Sequence, residues 1–163
     1  MIRSLFAALA TLMLCIGGVA RAAGPETQWR DYSNARFAFA ACYPASTFKM
    51  EPPPAIDDGR SFYSRDGAEL DVFGSYFGAD GGLAKERADE ERNVEGSINY
   101  RAAGTDWFVY SGSGRGKIFY NKTILRDGRF VSLAIKYPVA QRAKYDPIVR
   151  RMVACLKVFR PAF

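Results

Sequence analysis

The sequence predicts an α+β fold: an antiparallel β-sheet of about six or seven strands, flanked by a short charged helix and a C-terminal amphipathic helix. Three observations carry that reading. Residues 105–137, TDWFVYSGSGRGKIFYNKTILRDGRFVSLAIKY, read as three consecutive strands joined by two glycine turns. Within them, Asp127-Gly128 between apolar runs is a strong hairpin signal. Near the C-terminus, Tyr145, Ile148, Val149, Met152, Val153, Leu156 and Phe159 recur at spacings of three and four, the period of a helix with one buried face.

Taken from the N-terminal side, Phe37, Phe39 and Ala41 alternate with Ala38, Ala40 and Cys42. With Asn34 at an entry turn and Pro44 at the exit, this predicts a short strand near Tyr32, a turn, and a strand over 37–43. Residues 48–51 form a brief extended piece. Pro52-Pro53-Pro54 and Asp57-Asp58-Gly59 make a rigid loop. Residues 60–65 and 68–77 form a hairpin about Asp66-Gly67. Leu70, Val72 and Tyr76 share one face of it and Phe73 and Phe77 the other, which predicts a central strand covered on both sides. LAKERADEER over 83–92 is a short, mostly solvated helix whose thin apolar face is Leu83, Ala84 and Ala88. A further strand is expected around Ile98 and Tyr100.

In the central stretch, 107–110 is aromatic and β-branched, as a strand prefers. Ser111-Gly112-Ser113-Gly114-Arg115-Gly116 reads as a turn, followed by a strand over 117–125. GSGRGK resembles a phosphate loop, but the motif needs glycine where Ser111 stands and Ser or Thr where Ile118 stands, and a strand follows in place of a helix. After Asp127-Gly128, Val131, Leu133, Ile135 and Tyr137 fall on one face, the expected core face, and Pro138 ends the strand. The last helix is expected to begin near Pro147 with Asp146 as its cap. Its stripe is expected to pack on the odd-numbered face of the 131–137 strand.

The first residues read as a targeting segment. Arg3 precedes an apolar run over 5–16, Gly17-Gly18 breaks it, and Ala20-Arg21-Ala22 matches a small-x-small cleavage pattern. The domain reading is therefore a signal peptide over 1–22, cleaved between Ala22 and Ala23, and a single domain over 23–163. Cys15 raises a lipoprotein alternative, but Leu14 stands where that signal wants a small residue. The apolar run is too short for a mature anchor, so no transmembrane segment is expected in the mature chain. Cleavage leaves 141 of 163 residues and, with Arg3 and Arg21 gone from 23 basic residues against 17 acidic ones, a net charge of +4. That mild, dispersed excess falls short of a nucleic-acid footprint. The expected location is periplasmic or secreted. Two cysteines remain, Cys42 and Cys155, and an even count in an exported chain predicts a disulfide.

Phe37-x-Phe39 followed by Tyr43-Pro44, a long antiparallel sheet, Tyr137-Pro138 and a closing amphipathic helix together resemble the PsbP-like α/β/α sandwich. That is the fold of the photosystem II extrinsic subunit and of a Ran-binding nuclear-import protein. The runs Trp107-Phe108-Val109-Tyr110-Ser111-Gly112 and Tyr145-Asp146-Pro147-Ile148-Val149 resemble small exported bacterial proteins of unassigned function. The resemblance implies a non-enzymatic binding or assembly role. It transfers neither a partner nor a functional residue.

The chain contains no histidine. This removes the commonest general base, the usual Ser-His and Cys-His couples, and most zinc sites. No cofactor or metal ligand set is read in the sequence. The expected function is an exported binding or accessory module for a protein or other envelope component. Its candidate contact surface is Trp107, Tyr110, Arg115, Lys117 and Tyr120, with Phe108 and Phe119 beside them, because interfaces favour aromatic rings and arginine. The alternative is a carboxylate-dependent hydrolase, for which Glu69, Asp71 and Asp106 lie on or beside predicted strands.

Overall fold

The computed structural model describes residues 27–76 and 81–160. The targeting segment, Cys15, the cleavage position at Ala22 and Ala23, and Phe77 lie outside the described residues.

The first hairpin joins β1 (Trp29–Asn34) to β2 (Phe39–Pro44). Its turn is held by the Asn34 side-chain oxygen, which accepts the Phe37 amide at 2.9 Å, and Ala38 adopts a positive φ. Phe37 and Ala38 therefore belong to the turn and not to the strand, although Phe37 is buried. Then come β3 (Phe48–Met50), β4 (Gly59–Ser64) and β5 (Glu69–Tyr76), with the predicted Asp66-Gly67 turn between the last two. Helix α1 (Leu83–Arg92) leads to β6 (Ser97–Ala103), β7 (Trp107–Gly114), β8 (Lys117–Arg126) and β9 (Arg129–Pro138). A short 3-10 turn precedes α2 (Arg142–Cys155), and β10 (Lys157–Val158) closes the described chain.

Seven strands form one antiparallel sheet in the order β3-β4-β5-β9-β8-β7-β6, and β1, β2 and β10 form a second, smaller sheet. Cross-strand partners share a face. The register of Leu70 and Tyr120 with Ile135, and of Val72 with Leu133, therefore defines one face of the large sheet. On this face Val131, Leu133, Ile135 and Tyr137 are buried, as their alternation predicts. The small sheet and α2 cover it, contributing Tyr32, Phe39, Ala41, Tyr43, Tyr145, Ile148 and Met152 to one core. Tyr145 stacks on Tyr137 with ring centroids 5.1 Å apart. The predicted seat of the C-terminal helix on β9 is thus the observed one. The opposite face carries α1 and a smaller cluster of Phe108, Tyr110 and Phe119.

Four local expectations are corrected. Residues 111–114 continue β7, and the turn is only Arg115-Gly116. A Cβ at Gly112 or Gly114 would overlap the backbone oxygens of Ser97 or Glu95, so glycine here lets the neighbouring chain approach a strand and does not end it. Helix α2 begins at Arg142, five residues before Pro147. Asp146 lies inside the helix and accepts hydrogen bonds from Tyr137 and Arg142 in place of capping. The helix stops at Cys155; Lys157 and Val158 pair with Ala40 and Phe39, and Phe159 is largely exposed. On β5, Leu70 and Val72 are buried on the core face, but Tyr76 at the end of that face and Phe73 on the other stay exposed, so the strand is not covered on both sides.

Candidate functional site

Helix α1 has no buried residue, and both Ala84 and Ala88 point to solvent, contrary to the expected apolar face. Its inward stripe is Leu83, Glu86, Glu90 and then Val94, with spacings of three, four and four. Leu83 and Val94 pack on the Phe108–Tyr110–Phe119 cluster. Between these two apolar contacts the helix presents carboxylates to the sheet.

Glu90 is the inward anchor. Its carboxylate accepts the Asn121 amide at 2.5 Å and the Thr123 hydroxyl at 3.0 Å, and it also bonds the Tyr110 hydroxyl. Thr123 in turn shares a hydrogen bond of 2.8 Å with Ser132 on β9. Asn121 and Thr123 are buried side chains on β8, so the network lies on the sheet and not in a loop. Burial pushes the Glu90 carboxyl up to about 7, and the nearby Glu86 charge adds to the shift; the hydrogen bonds only partly offset it. Burial and then the charge of Glu90 also hold the Tyr110 phenol well above its usual range.

A cleft of about 610 Å³ opens between α1 and this face of the sheet. Phe73, Phe119 and Ala134 give it apolar surface. Glu86, Glu90, Tyr110 and Asn121 add polar groups to its wall. Toward the β7–β8 turn its rim is charged: Lys117 pairs with Glu69 at 2.5 Å, and Arg115 with Glu95 at 2.9 Å. The volume and the mixture of apolar surface with a few converging polar groups are those of a small-molecule site. Two other hollows are somewhat larger, about 770 Å³ beside Trp29 and about 850 Å³ beside Asp66. One charged group in each is already engaged. Arg151 stacks over Trp29 at 4.3 Å, and Asp66 accepts from Lys144, Tyr145 and Ser64 within 2.6 Å.

The five residues read from the sequence as a contact surface are divided by the sheet. Tyr110, Arg115 and Lys117 line the cleft. Tyr120 borders it through its strand, but its side chain packs on the main core of the opposite face, where burial raises its phenol to about 12. Trp107 also lies on that opposite face, paired with Ile124 and approached by Lys122. Phe108 is fully buried and Phe119 nearly so. The acids considered for hydrolysis do not converge: Glu69 pairs with Lys117, Asp71 accepts from Ser61 at 2.5 Å, and Asp106 lies near Arg126 in the loop before β7. The residue that sequence reasoning missed is Glu90. Its signal was the stripe bracketed by Leu83 and Val94, hidden because the run reads as uniformly charged.

No protein-family model matches the chain, and no curated protein matches it. Among solved structures, it is similar to cyanobacterial PsbP (CyanoP) from Synechocystis sp. PCC 6803, with a TM-score of 0.61, at 12% identity, over 88% of this chain and 96% of that one. The chain has the PsbP-like fold. A Bacteroides thetaiotaomicron protein also aligns, with a TM-score of 0.49, at 15% identity, over 80% of this chain and 48% of that one. The PsbP-like α/β/α arrangement is visible directly in the layers here: α2 and the small sheet on one face of the large sheet, α1 on the other. Cys42 and Cys155 sit at disulfide distance across the β2–α2 junction, with Cα atoms 5.9 Å apart. Among the described residues, no helix is long and apolar enough to cross a membrane, and no cluster of His, Cys, Asp or Glu could hold a metal.

Proposed function

We propose that this PsbP-like chain is an exported, non-enzymatic binding or accessory module, and that the cleft beneath α1 holds its ligand. The observation that carries the reading is the cleft itself: apolar surface from Phe73, Phe119 and Ala134 beside the bonded polar group of Glu90, Tyr110 and Asn121. Soluble domains seldom leave such a surface open without a use for it. The targeting segment over 1–22 and the Cys42–Cys155 pair support export, because disulfides persist in oxidising compartments. The likeness to PsbP supports an accessory role through fold alone.

The cleft is tested with Nile red, a neutral dye that brightens in apolar sites. The wild-type protein should enhance its fluorescence, and Ala134→Trp, which fills the cleft, should abolish the enhancement without lowering the thermal midpoint by more than a few degrees. Equal enhancement by a folded Ala134→Trp protein would place the apolar site elsewhere. Export is tested by intact-mass measurement: the periplasmic protein should begin at Ala23, and an acylated Cys15 would refute the soluble form.

A further inference from the structure

The cleft reading leaves the ligand class open, and the charges around Glu90 narrow it. We infer that the cleft takes a small ligand carrying a protonated amine on an apolar body, with the ammonium seated beside Glu86 and Glu90 and the body on Phe73 and Phe119. This rests on the cleft being the binding site.

The groups facing Glu90 come from three strands and from α1 itself. β7 offers the Tyr110 hydroxyl, β8 offers Asn121 and Thr123, β9 offers Ser132 through Thr123, and α1 adds Glu86. None is a cation. Most of the basic residues nearby pair with other acids: Arg87 and Arg101 both bond Glu91, Arg115 bonds Glu95, and Lys117 bonds Glu69. Lys136 also lines the cleft, as the strand-pair partner of Glu69 at the charged rim, and it bonds neither Glu86 nor Glu90. Among the described residues no basic side chain pairs with Glu86 or Glu90. Burial keeps Glu90 in its neutral form, and an ammonium seated beside it would favour the charged one. The Tyr110 and Phe119 rings, edge to face at 6.3 Å, add aromatic surface for the attached hydrocarbon.

Amine binding carries a proton signature. Glu90, with its carboxyl near 7, is largely protonated in slightly acidic solution. An ammonium binds its ionised form, so binding expels a proton. Amine affinity therefore rises by up to about tenfold per pH unit as pH approaches 7 and levels off above it.

Isothermal titration of the full folded protein with 2-phenylethylamine, 2-phenylethanol and 3-phenylpropionate separates charge from body. We expect the amine to bind at least about tenfold more tightly than the alcohol at pH 7.5, as a charge-assisted hydrogen bond requires. It should release protons at pH 6, and Glu90→Gln should remove both the preference and the proton release. Nile red binding by Glu90→Gln reports that its cleft is intact. If the alcohol or the carboxylate binds as well as the amine, or if Glu90→Gln keeps the preference, the amine class is wrong. The same holds if none of the three binds at millimolar concentration. In each case a Nile red signal that Ala134→Trp abolishes leaves the cleft standing; loss of that signal in wild type removes the cleft as well.

Discussion

Glu90 acts on stability as well as on binding, and the sign of its effect is opposite to that of most carboxylates. Its folded-state value is raised from 4.5 to about 7, chiefly by burial. The native state therefore holds a proton that the unfolded chain has lost. Its contribution is fully present below about 4.5 and is lost as pH rises through about 7. Asp66 behaves in the reverse sense. Burial alone would raise it, but hydrogen bonds from Lys144, Ser64 and Tyr145 hold it well below the usual carboxylate range, so its contribution fades only in acid below 3.8. The two windows do not overlap. Urea unfolding at pH 5 and pH 8 should show wild type losing stability toward pH 8 relative to Glu90→Gln, whose neutral amide does not titrate. Parallel pH dependence in the two proteins would defeat the assignment. The position could be found in LAKERADEER only by following the stripe from Leu83 to Val94. Charge composition pointed to a solvated helix, and what buries Glu90 is the sheet beneath it, which local sequence does not describe.

At the scale of the element, the period-two alternation of β9 and the three-four stripe of α2 were fully legible, because one buried face imposes one period on the residues. Boundaries were less so. Residues 111–114 look like a turn because glycine tolerates turn geometry, yet these glycines serve a close approach between β6 and β7. That requirement belongs to the partner strand, where the register shifts between Ile98 and Tyr100, and cannot be seen in β7 itself. The helix stop after Cys155 was hidden for a related reason: Leu156 continues the stripe, while Lys157 and Val158 are recruited by the edge of β2. Gly112→Ala tests the close approach. Its methyl would displace the Ser97 carbonyl or the Phe119 ring, so a loss of about 2 kcal/mol or more in urea unfolding is expected. Gly116→Ala should be milder, since its strain is in the backbone alone and the space around it is open. Equal costs at the two positions would mean that the approach of β6 is not what requires glycine.

Across the whole molecule, the described C-terminal end returns to the first hairpin through several independent ties. The Phe159 amide donates to the Ala38 carbonyl at 2.7 Å. The buried Arg129 guanidinium donates to the Phe37 and Phe159 carbonyls at 3.0 and 3.2 Å. Cys42 and Cys155 lie between these contacts and the body of α2, 113 positions apart in sequence. The even count of cysteines left after the targeting segment already pointed to that pairing; the strand that follows Cys155 did not show in the sequence. A cross-link closing so long a loop acts mainly on the unfolded chain, and its chain-entropy value is roughly 4–5 kcal/mol as an upper figure. Because β10, Arg129 and the β2–α2 packing hold the native end without it, the Cys42→Ala/Cys155→Ala protein should still fold, with unchanged Nile red binding. It should unfold with a loss of about 2–5 kcal/mol and a steeper urea dependence, since its unfolded state is less restricted. Non-reducing peptide mapping should recover Cys42 and Cys155 in one linked pair. Two alkylatable thiols in the oxidised, folded protein would refute the bond, and an unchanged unfolding midpoint in the double variant would show that the other ties suffice.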